Sequence, residues 1–235
     1  MLRRIPLGNM TNLRDLGGYP LPGGGVTAWG RLLRGDVPTG IGDREAGWLI
    51  EKGITTVIDL RSEEEAERMP DELASRPGLA YFHIPLVGGE RLPNLEEDVG
   101  KSYFGMMERQ EAPRQVFQTI AYAPEGVLVH CTAGKDRTGC VAAVLLALAG
   151  VDQVDILADY VVTELYIREV ISRVRREHPN AKAYIGRSRA EYMEAFFLLL
   201  EEAHGCAEGY LRWLGLTEKE IWLLRGKVTG QEGQE

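Results

Sequence analysis

Cys131 and Arg137 stand six positions apart in His130-Cys131-Thr132-Ala133-Gly134-Lys135-Asp136-Arg137-Thr138-Gly139, between a short apolar run and a longer one that begins at Cys140. A strand, a glycine-containing loop and a helix, in that order, gather backbone N–H groups around an anion at the helix N-terminus. If the loop curls back on itself, the amides of residues 132–137 point at one bound oxyanion, and Gly134 and Gly139 relieve the crowding. Arg137 closes the ring with a planar fork suited to two phosphate oxygens. The same donors and the helix dipole stabilise Cys131 as a thiolate, below the free cysteine value of about 8.5. A thiolate aimed at phosphorus in such a cradle is an arrangement for covalent catalysis. Two look-alikes fail. A nucleotide-binding P-loop needs glycine five residues before Gly134 and a hydroxyl residue after Lys135, where this chain has Val129 and Asp136. Gly23-Gly24-Gly25-Val26-Thr27-Ala28 fits a dinucleotide-binding glycine pattern, but no strand precedes it, and it reads as a turn.

The elements around this loop describe an α/β protein. The first 40 residues are dense in glycine and proline and read as successive turns. A short helix is expected over 43–52, a buried parallel strand over 54–60, and a helix over 63–69 opened by the capping box Ser62/Glu65. A second strand over 81–86 is followed by a loop of Gly, Pro and acidic residues over 87–100, then helices over 102–111 and 114–122. The third strand, 127–130, leads into the cysteine loop. The run from Cys140 to Ala149 is apolar all round, as in a central buried helix. Helices are then expected over 154–177, 189–204, 207–214 and 218–227. The pattern predicts a mostly parallel sheet flanked by helices, with a helical C-terminal part. The whole of 1–235 reads as one domain, with 163–189 as a helical insertion or lid.

Composition narrows the function classes. Of 235 residues, 27 are Lys or Arg and 35 are Asp or Glu, a net charge of −8, with 44% hydrophobic and 26% charged. That balance is globular, and its sign argues against nucleic acid or an anionic membrane as a partner. It leaves room for one local anion site. Three cysteines without a CxxC pair suggest neither a disulfide framework nor zinc. No apolar run reaches the roughly 18–20 residues of a membrane span, and the N-terminus does not read as a signal peptide. A reduced, cytoplasmic protein is expected.

The loop from His130 to Gly139 resembles the signature loop of cysteine-dependent protein tyrosine phosphatases. Its Lys135-Asp136-Arg137 variant is similar to the bacterial branch with tyrosine, serine/threonine and phosphoinositide phosphatase activities. Asn12-Leu13-Arg14-Asp15-Leu16-Gly17-Gly18-Tyr19 is like that branch's opening motif, and 34–36, 57–62, 156–160 and 210–225 are familiar in order and spacing. The resemblance implies the phosphatase fold and a two-step hydrolysis of a phosphoric monoester. Cys131 attacks the phosphoryl group to give phosphocysteine, and water then hydrolyses it. Arg137 and the amides of Thr132, Ala133, Gly134, Lys135 and Asp136 bind the equatorial oxygens, as they would bind phosphate or vanadate. Thr138 donates its hydroxyl to the leaving thiolate, and His130 orders the loop. No metal or other cofactor is called for, because Arg137 and the helix terminus supply the positive charge. The expected partner is a phosphorylated protein, peptide or phosphoinositide. Two aspartates compete as general acid: Asp136 inside the loop, and Asp59 at a strand end, where α/β proteins bind ligands. Lys135 is expected to face the substrate.

Plainer roles stand beside these. Asp59 could instead pair with Arg61 or Arg14, and Arg14 with Asp15 could anchor the loop from beneath. Asp159 and Tyr160 read as packing and hydrogen bonding, and Cys140 as inert core or, less simply, a redox partner of Cys131. Tyr81, Phe82, Tyr103 and Phe104 are core by default, although they could line an aromatic pocket. Glu63-Glu64-Glu65 reads as a solvated helix face. Arg173, Arg175, Arg176, Arg187 and Arg189 read as a wet face, unless the insertion folds over the pocket and they grip an anionic headgroup. A non-catalytic phosphate-binding module, and sulfurtransferase or arsenate chemistry, are the alternatives to a phosphatase.

Overall fold

The computed structural model describes residues 3–87, 95–182 and 184–231. Its five strands are β1 (Arg14–Asp15), β2 (Leu32–Gly35), β3 (Ile54–Asp59), β4 (Ala80–His83) and β5 (Gly126–His130). They form one sheet in the order β1-β2-β5-β3-β4. β2, β5, β3 and β4 are parallel, and β1 adds antiparallel to β2. The mostly parallel sheet matches the expectation, and β5 at its centre delivers the cysteine loop.

Both faces of the sheet are covered, and the strands show it by alternation. Leu32, Ile58, Val127 and Val129 join the larger core, while Leu33, Val57 and Leu128 join a smaller one with Leu49 and Leu73. Fully burying each such side chain contributes roughly 1.5–3 kcal/mol. The helices are α1 (Asp43–Glu51), α2 (Glu63–Arg68), α3 (Val99–Met107), α4 (Glu111–Tyr122) and α5 (Arg137–Leu148). α6 (Gln153–Tyr166), α7 (Arg168–Glu177), α8 (Ala190–His204), α9 (Ala207–Trp213) and α10 (Glu218–Thr229) follow. α5 is the central helix: from Thr138 to Leu146 every residue is buried. No helix is long and apolar enough to cross a membrane among the described residues.

Three expectations change. The first 40 residues are not only turns, because β1 and β2 lie there. Both strands are short, and each carries an arginine, so no apolar alternation announces them. The helix expected over 154–177 is broken at Ile167, which is buried and ends α6 before α7 begins. The acidic loop expected over 87–100 lies partly outside the described residues, at 88–94; its last part, from Glu96, is already helical.

Candidate active site

The loop after β5 is held open by its own carbonyls. Val37 N–H donates to the Thr132 carbonyl at 3.2 Å, Asn12 Nδ2 to Ala133 at 2.8 Å, and Arg34 Nη2 to Gly134 at 2.7 Å. With three consecutive carbonyls tied to β2 and the N-terminal segment, the peptide N–H groups face the other way. Gly134 adopts φ +64°, and a Cβ there would lie 2.4 Å from the Gly35 carbonyl oxygen, so only glycine fits. α5 starts at Arg137, which adds its N-terminal N–H groups to the same cradle. Cys131 is buried at the base of this loop.

The anchors beneath the loop are charged and almost wholly buried. Asp159 on α6 accepts from Arg14 Nε at 2.7 Å, Arg34 Nη1 at 2.5 Å and the Tyr19 hydroxyl at 3.1 Å. Burial by itself would raise the Asp159 carboxyl, but Arg14 and Arg34 outweigh it and hold the carboxyl well below the usual range. Arg14 also donates to Asn12 Oδ1 at 2.5 Å, and Asn12 in turn holds Ala133. Asp36 completes the clamp by accepting from the Thr11 and Asn12 N–H groups at 2.8 and 3.0 Å. Arg14 is therefore a loop anchor, as one sequence reading had it. Asp15 is not: it accepts from Gly17 and Gly30 N–H at 2.8 Å each, pinning the following turn.

Asp59 lies outside the pocket. Its carboxylate is fully buried and accepts from Arg61 N and Nε at 2.9 Å, Arg61 Nη2 at 2.6 Å and the Tyr81 hydroxyl at 2.8 Å. Burial would raise this carboxyl, yet the Arg61 bonds win and lower it. Asp59 and Arg61 thus form a buried pair below the site, and Asp59 has no free oxygen aimed at a leaving group. His130 lies beside them, with Nε2 2.8 Å from Asp71 Oδ2 and Nδ1 3.9 Å from Asp59 Oδ1. Asp59, Asp71 and His130 are the one group of metal-type donors that converges among the described residues. Arg61, 2.6 Å from Asp59 and 4.0 Å from Asp71, already supplies the positive charge a cation would bring.

Asp136, in contrast, is half-exposed at the pocket. Its Oδ1 accepts from the Tyr103 hydroxyl and lies 3.3 Å from Lys135 Nζ. Lys135 is turned from the position expected for it: although it lines the pocket, its ammonium is buried and donates to the Arg187 carbonyl at 2.8 Å. Thr138 Oγ1 is buried and has no hydrogen-bond partner among the described residues. Arg137 turns its terminal Nη1/Nη2 edge to Glu65, at 2.5 and 2.8 Å. Glu65 also accepts from Thr132 Oγ1 at 2.5 Å and from Ser62 N–H at 2.9 Å. Burial would raise the Glu65 carboxyl, but the Arg137 and Thr132 bonds hold it far below the usual range.

Sequence reasoning missed Glu65 by reading it as solvated. The capping box was visible, but the inward turn of its glutamate depends on where α5 delivers Arg137. Tyr103, read as core by default and as a candidate pocket aromatic, is both: it is buried in the larger core and lines the pocket. Phe82, one of the aromatic candidates, is 42% exposed and away from the pocket, and Tyr81 serves Asp59. Arg187 and Arg189 both pair with Glu96, at 2.9 and 3.2 Å, and do not reach for an external anion.

The cavity above the loop measures about 370 Å³. Glu65, Asp136 and Arg137 form its polar floor, and Leu86, Val87, Met106, Ile167, Ile171 and Ile185 are among its apolar walls. A buried cysteine, a loop whose carbonyls are tied away from it, and a helix that starts at Arg137 beside an apolar cleft make the arrangement of a cysteine-dependent phosphatase site. The chain belongs to the tyrosine phosphatase family, whose model matches residues 5–230. It is 35% identical over 210 residues to a tyrosine-protein phosphatase of Nostoc commune, covering 81% of this chain and 70% of that one. It is 27% identical to the triple specificity protein phosphatase PtpB of Mycobacterium tuberculosis, covering 86% of this chain and 91% of that one. Among solved structures, TpbA of P. aeruginosa aligns at 18% identity and a TM-score of 0.34, covering 64% of this chain and 88% of that one. The protein is accordingly an enzyme, a phosphoric monoester hydrolase of the tyrosine phosphatase type.

Proposed function

We propose that the enzyme hydrolyses aryl phosphate monoesters, phosphotyrosine in a peptide or protein above all, through a phosphocysteine on Cys131 with Asp136 as general acid. The observation that carries this is the loop itself, with the Ala133 and Gly134 carbonyls tied outward and Arg137 at the start of α5, its terminal edge held by Glu65. In the first step the Cys131 thiolate forms an S–P bond, the bond to the leaving oxygen breaks, and Asp136 protonates that oxygen. In the second, water attacks phosphorus, Asp136 takes the water proton, and the thiolate departs with the Thr138 hydroxyl positioned to donate to it. Because Glu65 takes the Nη1/Nη2 edge of Arg137, the Nε side of the fork serves the phosphate. Asp136 is preferred over Asp59 because only Asp136 is open to the cleft.

The choice of an aryl ester rests on the walls. They are mainly apolar among the described residues, and Arg187 and Arg189 are paired with Glu96 rather than held ready for the extra phosphates of a phosphoinositide. Residues 163–189 act as a cap on the single phosphatase domain, because Ile167, Ile171, Tyr184, Ile185 and Gly186 all line the cleft. Three free cysteines, one of them the nucleophile, suit a reducing, cytoplasmic setting.

The test is hydrolysis of p-nitrophenyl phosphate. Turnover should vanish in Cys131→Ser and be blocked by vanadate; full turnover in Cys131→Ser would refute the mechanism. A panel of phosphotyrosine peptides, phosphoserine peptides and phosphoinositides, compared by kcat/KM, tests the substrate class. A phosphoinositide preference would overturn the aryl reading and leave the chemistry intact.

A further inference from the structure

Behind Asp136 stands a chain of two phenols from two different helices. The Tyr103 hydroxyl, on α3, meets Asp136 Oδ1 on one side and the Tyr160 hydroxyl, on α6, at 2.7 Å on the other. Tyr103 is 5% exposed and Tyr160 1%, and the two rings meet edge to face with centroids 6.2 Å apart. Neither phenol has solvent to turn to, so their hydrogen bonds are fixed by each other and by the carboxylate.

The proton inventory sets the direction of the chain. An ionised carboxylate only accepts, so Tyr103 must donate its single O–H to Asp136 Oδ1, and Tyr160 then donates to Tyr103. We propose that Tyr103, backed by Tyr160, is the positioning residue for the general acid: it occupies Oδ1 of Asp136 and leaves Oδ2 as the oxygen that carries the transferable proton. The inference rests on the reading of Asp136 as the acid. When Asp136 is protonated, Oδ1 goes on accepting from Tyr103, so the proton resides on Oδ2. In the first chemical step that proton passes to the leaving oxygen as the P–O bond breaks, and in the second a water proton returns to Oδ2. Tyr103 keeps its own proton throughout.

The other ionisable and charged groups around Asp136 are Lys135 and Cys131 in the loop, Arg137 and Cys140 on α5, and Tyr184 from the cap. None of these takes the place of a neutral donor fixed to one oxygen. Burial first, then the Asp136 charge, pushes the Tyr103 hydroxyl far above its ordinary range, so Tyr103 stays a donor at any working pH. Without that hydroxyl, Oδ1 loses its fixed donor and the two carboxyl oxygens of Asp136 compete for the proton.

The test uses Tyr103→Phe, Tyr160→Phe and Asp136→Asn, alone and with Tyr103→Phe combined with Asp136→Asn, on aryl phosphates of graded leaving-group pKa. Tyr103→Phe should cost a few-fold on p-nitrophenyl phosphate and roughly tenfold or more on the poorest leaving group. The loss should fall on kcat, with KM changed by no more than about twofold. The double variant should be no worse than Asp136→Asn alone, because the phenol acts through that carboxyl. Tyr160→Phe should show the same leaving-group dependence with a smaller loss, and it serves alone if Tyr103→Phe does not fold. A loss confined to KM, an equal loss on every substrate, or additive losses in the double variant would overturn the proposal. Failure of the acid assignment itself would look different: Asp136→Asn would then show no dependence on the leaving group.

Discussion

At the scale of single residues, the site depends on pairs that fix one another. Arg137 is held by Glu65 through both terminal nitrogens, so Glu65 sets the plane in which the guanidinium meets a phosphate. Glu65→Gln keeps the shape but loses the charge, and kcat/KM should fall about 10-fold, less than the roughly 100-fold or more that follows loss of a transition-state donor. A rise in kcat/KM would instead show that the carboxylate competes with substrate for Arg137. The acid should announce itself through leaving groups. Asp136→Asn should lose far more on an alkyl than on an aryl phosphate, whereas Asp59→Asn should lose equally on both and lower Tm, because Asp59 holds Arg61 rather than a proton for substrate. Cys131, Arg137 and the loop were legible in the sequence because their spacing is itself the chemistry. Glu65 and Tyr103 were not, since their roles arise from elements that lie far away in the chain.

At the scale of elements, the loop is a suspended structure. β2 and the N-terminal segment hold it through Arg34 and Asn12, and Asp159 on α6 holds Arg34 in turn. Gly134→Ala places a Cβ against the Gly35 carbonyl at a backbone angle that disfavours side chains. The strain is about 1–3 kcal/mol, so the protein should still fold, with Tm lowered by several degrees and kcat/KM reduced at least about 100-fold. Wild-type kinetics in Gly134→Ala would show that the loop tolerates a different path. Asp159 carries a pH dependence of known sign. Its folded-state carboxyl is held below the ordinary 3.8, so its stabilisation is complete above about pH 4 and is lost as pH falls below that. Asp159→Asn should flatten the acid limb of stability measured by denaturant unfolding. It should also cost about 3–5 kcal/mol at neutral pH, by leaving Arg14 and Arg34 buried without their counter-charge. An unchanged acid limb would assign that titration to other carboxylates. The break at Ile167 belongs to this scale as well. No proline or glycine marks it, and it was invisible in the helical periodicity; its effect is to let both Ile167 and Ile171 line the cleft.

At the scale of the whole molecule, a net charge of −8 surrounds a site built for a dianion. Among the described residues, local attraction centres on Arg137, the loop amides and the start of α5, while the net charge makes the field at a distance repulsive to acidic substrates. Raising ionic strength from about 10 to about 150 mM should therefore leave kcat/KM for an acidic phosphopeptide unchanged or higher, because screening removes the long-range repulsion first. A steep fall would reveal a cationic approach route that the charge balance hides. The sequence by itself determined the cysteine loop with Cys131, Gly134 and Arg137 and the parallel sheet that delivers it, since each follows from residue type and short-range spacing. Tertiary structure alone decided which aspartate opens to the cleft. It also decided that Arg187 and Arg189 pair with Glu96 and that Tyr103 stands behind Asp136. Those outcomes depend on contacts between residues from 33 to 145 positions apart, such as Tyr103 with Asp136 and Arg14 with Asp159, and no local pattern encodes them.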